Sequence, residues 1–209
     1  MALSYPYPID FLAKCLVGPE IPLTLRRFDE MSGSGDGRFW SAQLAPPLWT
    51  ASYQLYSRSA AEAREINAKI HALDGAAKTL VWCDPYYRGP AANVSAGLSS
   101  VTVSGIRADR CAVSLAGVPD GFFITPGDYL SITYGSRRYF GQFAEAGTEA
   151  GLGIPMTELR PALPLGISTG ATVELVKPRF NAIVTDFQPF TMFRDRWGQN
   201  AAITILQKR

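Results

Sequence analysis

The chain has 209 residues, 47% of them hydrophobic and 18% charged, a balance that excludes intrinsic disorder and allows one large domain or two small ones. Its formal net charge is +2 with no block of Lys or Arg, which excludes an electrostatic nucleic-acid footprint and a polybasic membrane patch. The 15 Pro and 19 Gly are spread along the chain, as in a protein of many short strands separated by turns.

Tyr5-Pro6-Tyr7-Pro8 interrupts the start, so no charged n-region leads into an apolar h-region. No apolar run reaches 18 residues either. The pattern predicts a chain made in a cytosol without signal-peptide export. Asp29-Glu30 and Asp36 flank Gly33-Ser34-Gly35, but their spacing departs from an acidic calcium loop and reads as a mobile loop. From Arg38 to Leu44, Trp40, Ala42 and Leu44 alternate, and Pro46-Pro47 then predicts a break between two adjoining strands. The second, Leu48 to Ser57, sets Trp49, Ala51, Tyr53 and Leu55 on one face.

The period then changes. Ser59-Ala60-Ala61-Glu62 has the form of a capping box, and Ala63, Ile66, Ile70 and Leu73 line one face of a helix over 60–73, ended by Asp74-Gly75. A strand through Leu80-Val81-Trp82 follows, from Lys78 to Cys83, and Asp84-Pro85 closes it. Arg88 to Ser100, rich in Gly, Pro, Ala, Ser and Asn, marks a connector. Strands are expected at Val101 to Ile106, Cys111 to Leu115, Tyr129 to Tyr134, Arg138 to Phe143, Met156 to Arg160 and Thr172 to Val176, a spacing that suits a small barrel or sandwich. Gly135-Ser136 is placed to close a tight hairpin. Asn181 to Phe187 and Ala201 to Leu206 read as edge strands that rejoin the first set. The expected architecture is therefore mainly β. A ring-forming β-sandwich domain with one helix, residues 1–88 plus 181–209, is interrupted by an inserted β-domain, residues 89–180.

The residues of reactive chemistry are few. His71 is the one histidine and lies on the predicted helix, where it reads as a surface or boundary residue. Cys15, Cys83 and Cys111 lack ligand spacing and read as buried free thiols, and four Cys and His in total are too scattered for a structural zinc site. Gly147 to Gly153 (GTEAGLG) lacks the ending of a phosphate loop and reads as a flexible turn. Nothing sets Glu145, Glu149 and Glu158 at a glycosidase separation. Arg26-Arg27 and Arg137-Arg138 read as solvated surface. No catalytic, cofactor-binding or metal-binding residue is assigned, and a non-enzymatic protein is expected. Trp40, Trp49, Tyr53, Trp82, Tyr86, Tyr87 and Trp197 read mainly as core, with a minority left for subunit contacts.

Two stretches carry a family likeness. In FWSAQLAPPLWTASYQLYSRSAAEAREINAKIHALDGAAKTLVWCDPYYRGP (Phe39 to Pro90), strands lead into a helix with an LDG end and a strand ending in Asp-Pro. The PGDYLS and LRPxL elements lie in GVPDGFFITPGDYLSITYGSRRYFGQF (Gly117 to Phe143) and TELRPALPLGISTGATVELVKP (Thr157 to Pro178). Together they resemble distal tail proteins of siphophages and prophages, a group related to tail-tip components of gene transfer agents. The resemblance covers about half the chain. It implies a tail-tube-like β-sandwich with a packed helix, an OB-like or galectin-like insertion facing outward, and a homo-hexameric ring. It also implies partners in the tail tube above and the tip hub below, DNA passing through the lumen without specific binding, and a place at the distal end of the virion tail. Unlike larger relatives, the chain has no extra insertion the size of a carbohydrate-binding module.

A ring component presents one patch to a different patch of its neighbour. Exposed strand edges then make Phe39 to Leu44 and Ala201 to Leu206 the interface candidates, with Arg38 and Lys208 left solvated. The lumen wall is expected to be hydrophilic and not strongly basic. The alternative is a carbohydrate-binding β-module with Tyr86-Tyr87 as its stacking platform. A cell-wall hydrolase, the third reading, lacks an acid/base set.

Overall fold

A computed structural model of the chain describes residues 3–33, 35–92, 97–151, 153–193 and 196–208, without the side chains of 192–199. The chain is mainly β, with one α-helix and several antiparallel sheets among the described residues, an arrangement consistent with a β-sandwich. It divides into two compact units, Met1–Leu80 with Ala182–Lys208, and Val81–Asn181.

The first unit opens with two long strands, β1 (Leu16–Gly33) and β2 (Phe39–Leu55). Two expectations are corrected here. Asp29, Glu30 and Gly33 belong to β1 rather than to a mobile loop, while Ser34 lies outside the described residues. Pro46-Pro47 does not break β2: Arg26 faces Leu48 and Phe28 faces Ala45, so both prolines bulge opposite Arg27 alone. On the Pro46-Pro47 side of Thr50, β2 has only β1 as a strand neighbour among the described residues, so the prolines interrupt no second ladder.

Helix α1 (Ala60–His71) starts as its sequence predicts. The Glu62 N–H donates to Ser59 Oγ at 3.1 Å, although the Glu62 carboxylate accepts from the Arg58 N–H (2.6 Å) instead of the cap's own. Its buried face is Ala63, Ile66 and Ile70, and fully buried Leu73 follows in the turn beyond His71. There Asp74 and Gly75 both take positive φ, at 51° and 62°. Strand β3 (Leu80–Cys83) follows.

In the second unit β4 (Thr102–Ile106), β5 (Ala112–Ala116), β6 (Phe123–Ile124), β7 (Tyr129–Tyr134), β8 (Arg137–Phe143), β9 (Gly147–Thr148), β10 (Gly153–Arg160) and β11 (Val173–Glu174) succeed one another. Six of them form a sheet in the order β11-β7-β8-β10-β5-β4. A bridge between Thr102 and Thr172, with Val103 N–H on Ala171 O and Val173 N–H on Val101 O (both 2.9 Å), joins the two ends into a small barrel. Val103, Leu115, Phe122, Leu130, Tyr139 and Leu159 fill its interior. Gly135 closes the β7–β8 hairpin at φ 57°, in the two-residue turn between paired Tyr134 and Arg137. Gly147 to Gly153 is not a simple flexible turn. Gly147-Thr148 pairs with Phe123-Ile124, Gly153 starts β10, and Leu152 lies outside the described residues.

The chain returns through β12 (Arg179–Gln188), β13 (Thr191–Phe193), β14 (Arg196–Gln199) and β15 (Ala201–Gln207). The main sheet runs β1-β2-β15-β12-β3. Neither β12 nor β15 is therefore the edge strand expected of Asn181 to Phe187 and Ala201 to Leu206: β15 pairs with β2 over Thr50–Leu55 and with β12 on its other side, and β12 lies between β15 and β3. Trp49, Ala51, Tyr53 and Leu55 of β2, with Ala201, Ile203 and Ile205 of β15, make its buried face. Thr50, Gln54, Thr204 and Leu206 on the opposite face are half-buried or exposed.

Candidate interaction surface

The distal halves of β1 and β2 form an arm two strands wide. Strand β15 reaches only to Thr50, so from Leu48 outward to Phe39, β2 is paired solely to β1 among the described residues. The arm turns through Gly35-Asp36-Gly37, where Asp36 Oδ1 accepts the Arg38 N–H (3.3 Å) and Gly37 has φ 83°. A two-stranded ribbon without a third strand or a covering layer is marginally stable in water. This one also carries large apolar side chains into solvent: Phe39 is 78% exposed, Trp40 70%, Leu44 68% and Met31 68%. Isolated exposed apolar residues are ordinary, but four within one narrow ribbon make it a candidate interaction surface.

Register places them. Trp40 faces Ser32 and Ala42 faces Glu30, which gives one face of the arm; Phe39 faces Gly33 and Ser41 faces Met31, which gives the other. Leu44 is the extra residue between the Asp29–Gln43 and Phe28–Ala45 pairs. Gly33 makes room for Phe39, since a Cβ there would lie 3.2 Å from the ring. Arg26, Arg27 and Arg38 are balanced by Asp29, Glu30 and Asp36, so the arm has no net charge with which to draw in a polyanion. Arg27 pairs with Asp29 at 2.7 Å, Arg38 with Asp36 at 3.6 Å, and Arg26 lies over the Phe28 ring at 5.2 Å.

The other residues singled out in the sequence do not converge on a reaction centre. His71 is exposed at the helix end and meets Phe187 edge-on at 5.7 Å. Glu158 is held by Arg107 (2.7 Å) and Arg160 (3.2 Å), and the Arg107 hydrogen bond first of all keeps its carboxyl below the usual range. Glu145 accepts the Glu158 N–H and Glu149 the Gly121 N–H. Cys15 is buried, whereas Cys83 and Cys111 are half-buried, short of the full burial expected of all three. Burial raises the Cys15 thiol and pushes Cys83 up to about 11. Among the described residues no three His, Cys, Asp or Glu side chains gather as a metal site would require.

Tyr86 and Tyr87 part company: Tyr86 is 53% exposed, but Tyr87 is half-buried, edge-on to Tyr129 at 5.0 Å and accepting the Tyr129 N–H. Arg137 is exposed, while Arg138 is half-buried, and desolvation lowers its pKa. Lys208 donates to the carbonyls of Ala76 and Ala77 rather than standing wholly in solvent. The side chain of Trp197 lies outside the described residues. Strand β1, the edge strand of the arm, is hard to see in the sequence because Pro19 and Pro22 obscure its signal, the alternation of Leu23 and Leu25 and the Phe28–Met31 run.

No protein-family model and no curated protein matches this chain. No helix among the described residues is long and apolar enough to cross a membrane.

Proposed function

We propose that the chain is a structural, non-enzymatic virion protein: a distal tail protein of a tailed bacteriophage or phage-derived particle, assembled as a ring between tail tube and tip hub. The observation that carries the reading is the arm. Phe39, Trp40 and Leu44 stand in solvent on a ribbon too narrow to be stable alone, and a neighbouring subunit is what would bury them. Such a contact is head-to-tail, arm to body, and closes when the rotation suits.

The finer fold belongs to the same proposal. On this reading the first unit corresponds to a tail-tube-like sandwich with its helix, and the barrel to an OB-like or galectin-like insertion. DNA would pass through the lumen without specific binding, consistent with a net charge of +2 and an arm of balanced charge. A carbohydrate platform at Tyr86-Tyr87 has less support, because one ring of the pair is half-buried against the barrel.

Negative-stain microscopy of the purified protein tests the reading. Six-fold rings with a central lumen are expected, and a strictly monomeric particle at high concentration would overturn ring formation by the chain alone.

A further inference from the structure

Strand β1 ends the main sheet, and β2 is its sole strand partner among the described residues, so its outer edge offers unpaired backbone donors and acceptors. Long open edges are normally guarded. Pro19 and Pro22 guard the first part of β1, but from Leu23 to Gly33 there is no proline. Both irregularities of the arm, at Pro46-Pro47 and at Leu44, put the extra residue on β2. The β1 backbone therefore runs without an inserted residue of its own from Thr24 to Gly33.

Charge on such an edge can repel a second copy, as a guard should, or match it. The sequence here is Leu25-Arg26-Arg27-Phe28-Asp29-Glu30-Met31. Laid antiparallel on itself about Phe28, it sets Arg26 against Glu30, Arg27 against Asp29 and Leu25 against Met31, with no like charges opposed. Moving the two-fold axis one residue toward the N-terminus opposes Arg27 to Arg27, and one toward the C-terminus opposes Asp29 to Asp29. Opposite charges directly across an antiparallel pair stabilise it and like charges weaken it. Glu30 and Arg26 form no ion pair among the described residues of one chain, and Met31 is 68% exposed.

We propose that two copies of this chain pair β1 to β1, antiparallel about a two-fold axis at Phe28, with Arg26 of each facing Glu30 of the other. The contact is isologous, unlike the head-to-tail contacts of a ring, and does not rest on the tail reading. The existing Arg27–Asp29 pair of each copy meets its inverted counterpart, which makes a four-charge cluster. Leu25 covers Met31.

Site-directed disulfide formation in the full-length protein tests this. Directly opposed residues of an antiparallel pair have Cα atoms about 4.5–5.5 Å apart, within disulfide reach. Phe28→Cys should give a reducible covalent dimer on mild oxidation. Leu25→Cys should not, because its two copies would stand about 20 Å apart in this register. Sedimentation supplies the second measurement: Arg26→Glu should weaken dimerisation roughly tenfold, and Arg26→Glu with Glu30→Arg should restore it. Equal crosslinking at Phe28 and Leu25, no crosslinking at either, or a charge swap without rescue would overturn the pairing.

Discussion

The ring of Tyr139 lies across Gly141, two residues further along β8, so closely that a Cβ on Gly141 would sit 2.5 Å from the Tyr139 Oη and 2.8 Å from its ring carbon Cε1. Tyr139 is 1% exposed, and its hydroxyl donates to the carbonyl of Pro161 across the barrel interior. The glycine is thus the space in which the tyrosine lies. Gly141→Ala should cost about 1–3 kcal/mol through overpacking, read as a lowered Tm of the full-length protein. A Tm equal to that of the native chain would show that the ring can move aside.

Trp40→Ser should behave in the opposite way. With 70% of the indole in solvent, the folded monomer loses little, within about 0.5 kcal/mol. Assembly into rings should fall sharply, because an exposed Trp in a narrow ribbon is the type of residue that dominates interfaces. Sedimentation and thermal unfolding on the same samples separate the two effects.

Ser59→Ala removes the acceptor that holds the Glu62 N–H at the start of α1. A loss of about 1 kcal/mol is expected in denaturant unfolding, with Ser59→Asp restoring most of it.

The Cys83 thiol gives an alkaline signature. Burial lifts it from 9.0 to about 11, so the unfolded chain releases this proton first as pH rises. Its contribution to stability is whole below pH 9 and is lost progressively as pH climbs from about 9 to about 11. Unfolding curves of Cys83→Ala should show a shallower decline over that window, and thiolate absorbance should place the titration of Cys83 above that of a free thiol.

Periodicity made the local elements legible. Ser59 through Leu73 announced a helix because its cap and its apolar face agree, and Tyr129–Tyr134 with Arg137–Phe143 announced a hairpin because Gly135 sits where positive φ is required. Pairing was less legible. Ala201, Ile203 and Ile205 alternate in the same way whether one or both edges of their strand are occupied, so a central strand read as an edge. Pro46-Pro47 read as a break because sequence does not reveal that the neighbouring ladder ends at Thr50. The same blindness hid the first strand of the arm, whose charged centre and two prolines obscure its alternation. Phe39 and Trp40 were visible as strand residues, but only pairing reveals that no third strand among the described residues covers them.

Joining Thr102 to Thr172 gives the small barrel neither a first nor a last strand. Stripping any strand away must break pairings on two flanks at once, so that unit should lose its amide protection in a single cooperative step. The paired segments 26–33 and 39–48, fastened along one ladder only among the described residues, should exchange their hydrogens far sooner unless a second molecule zips against them.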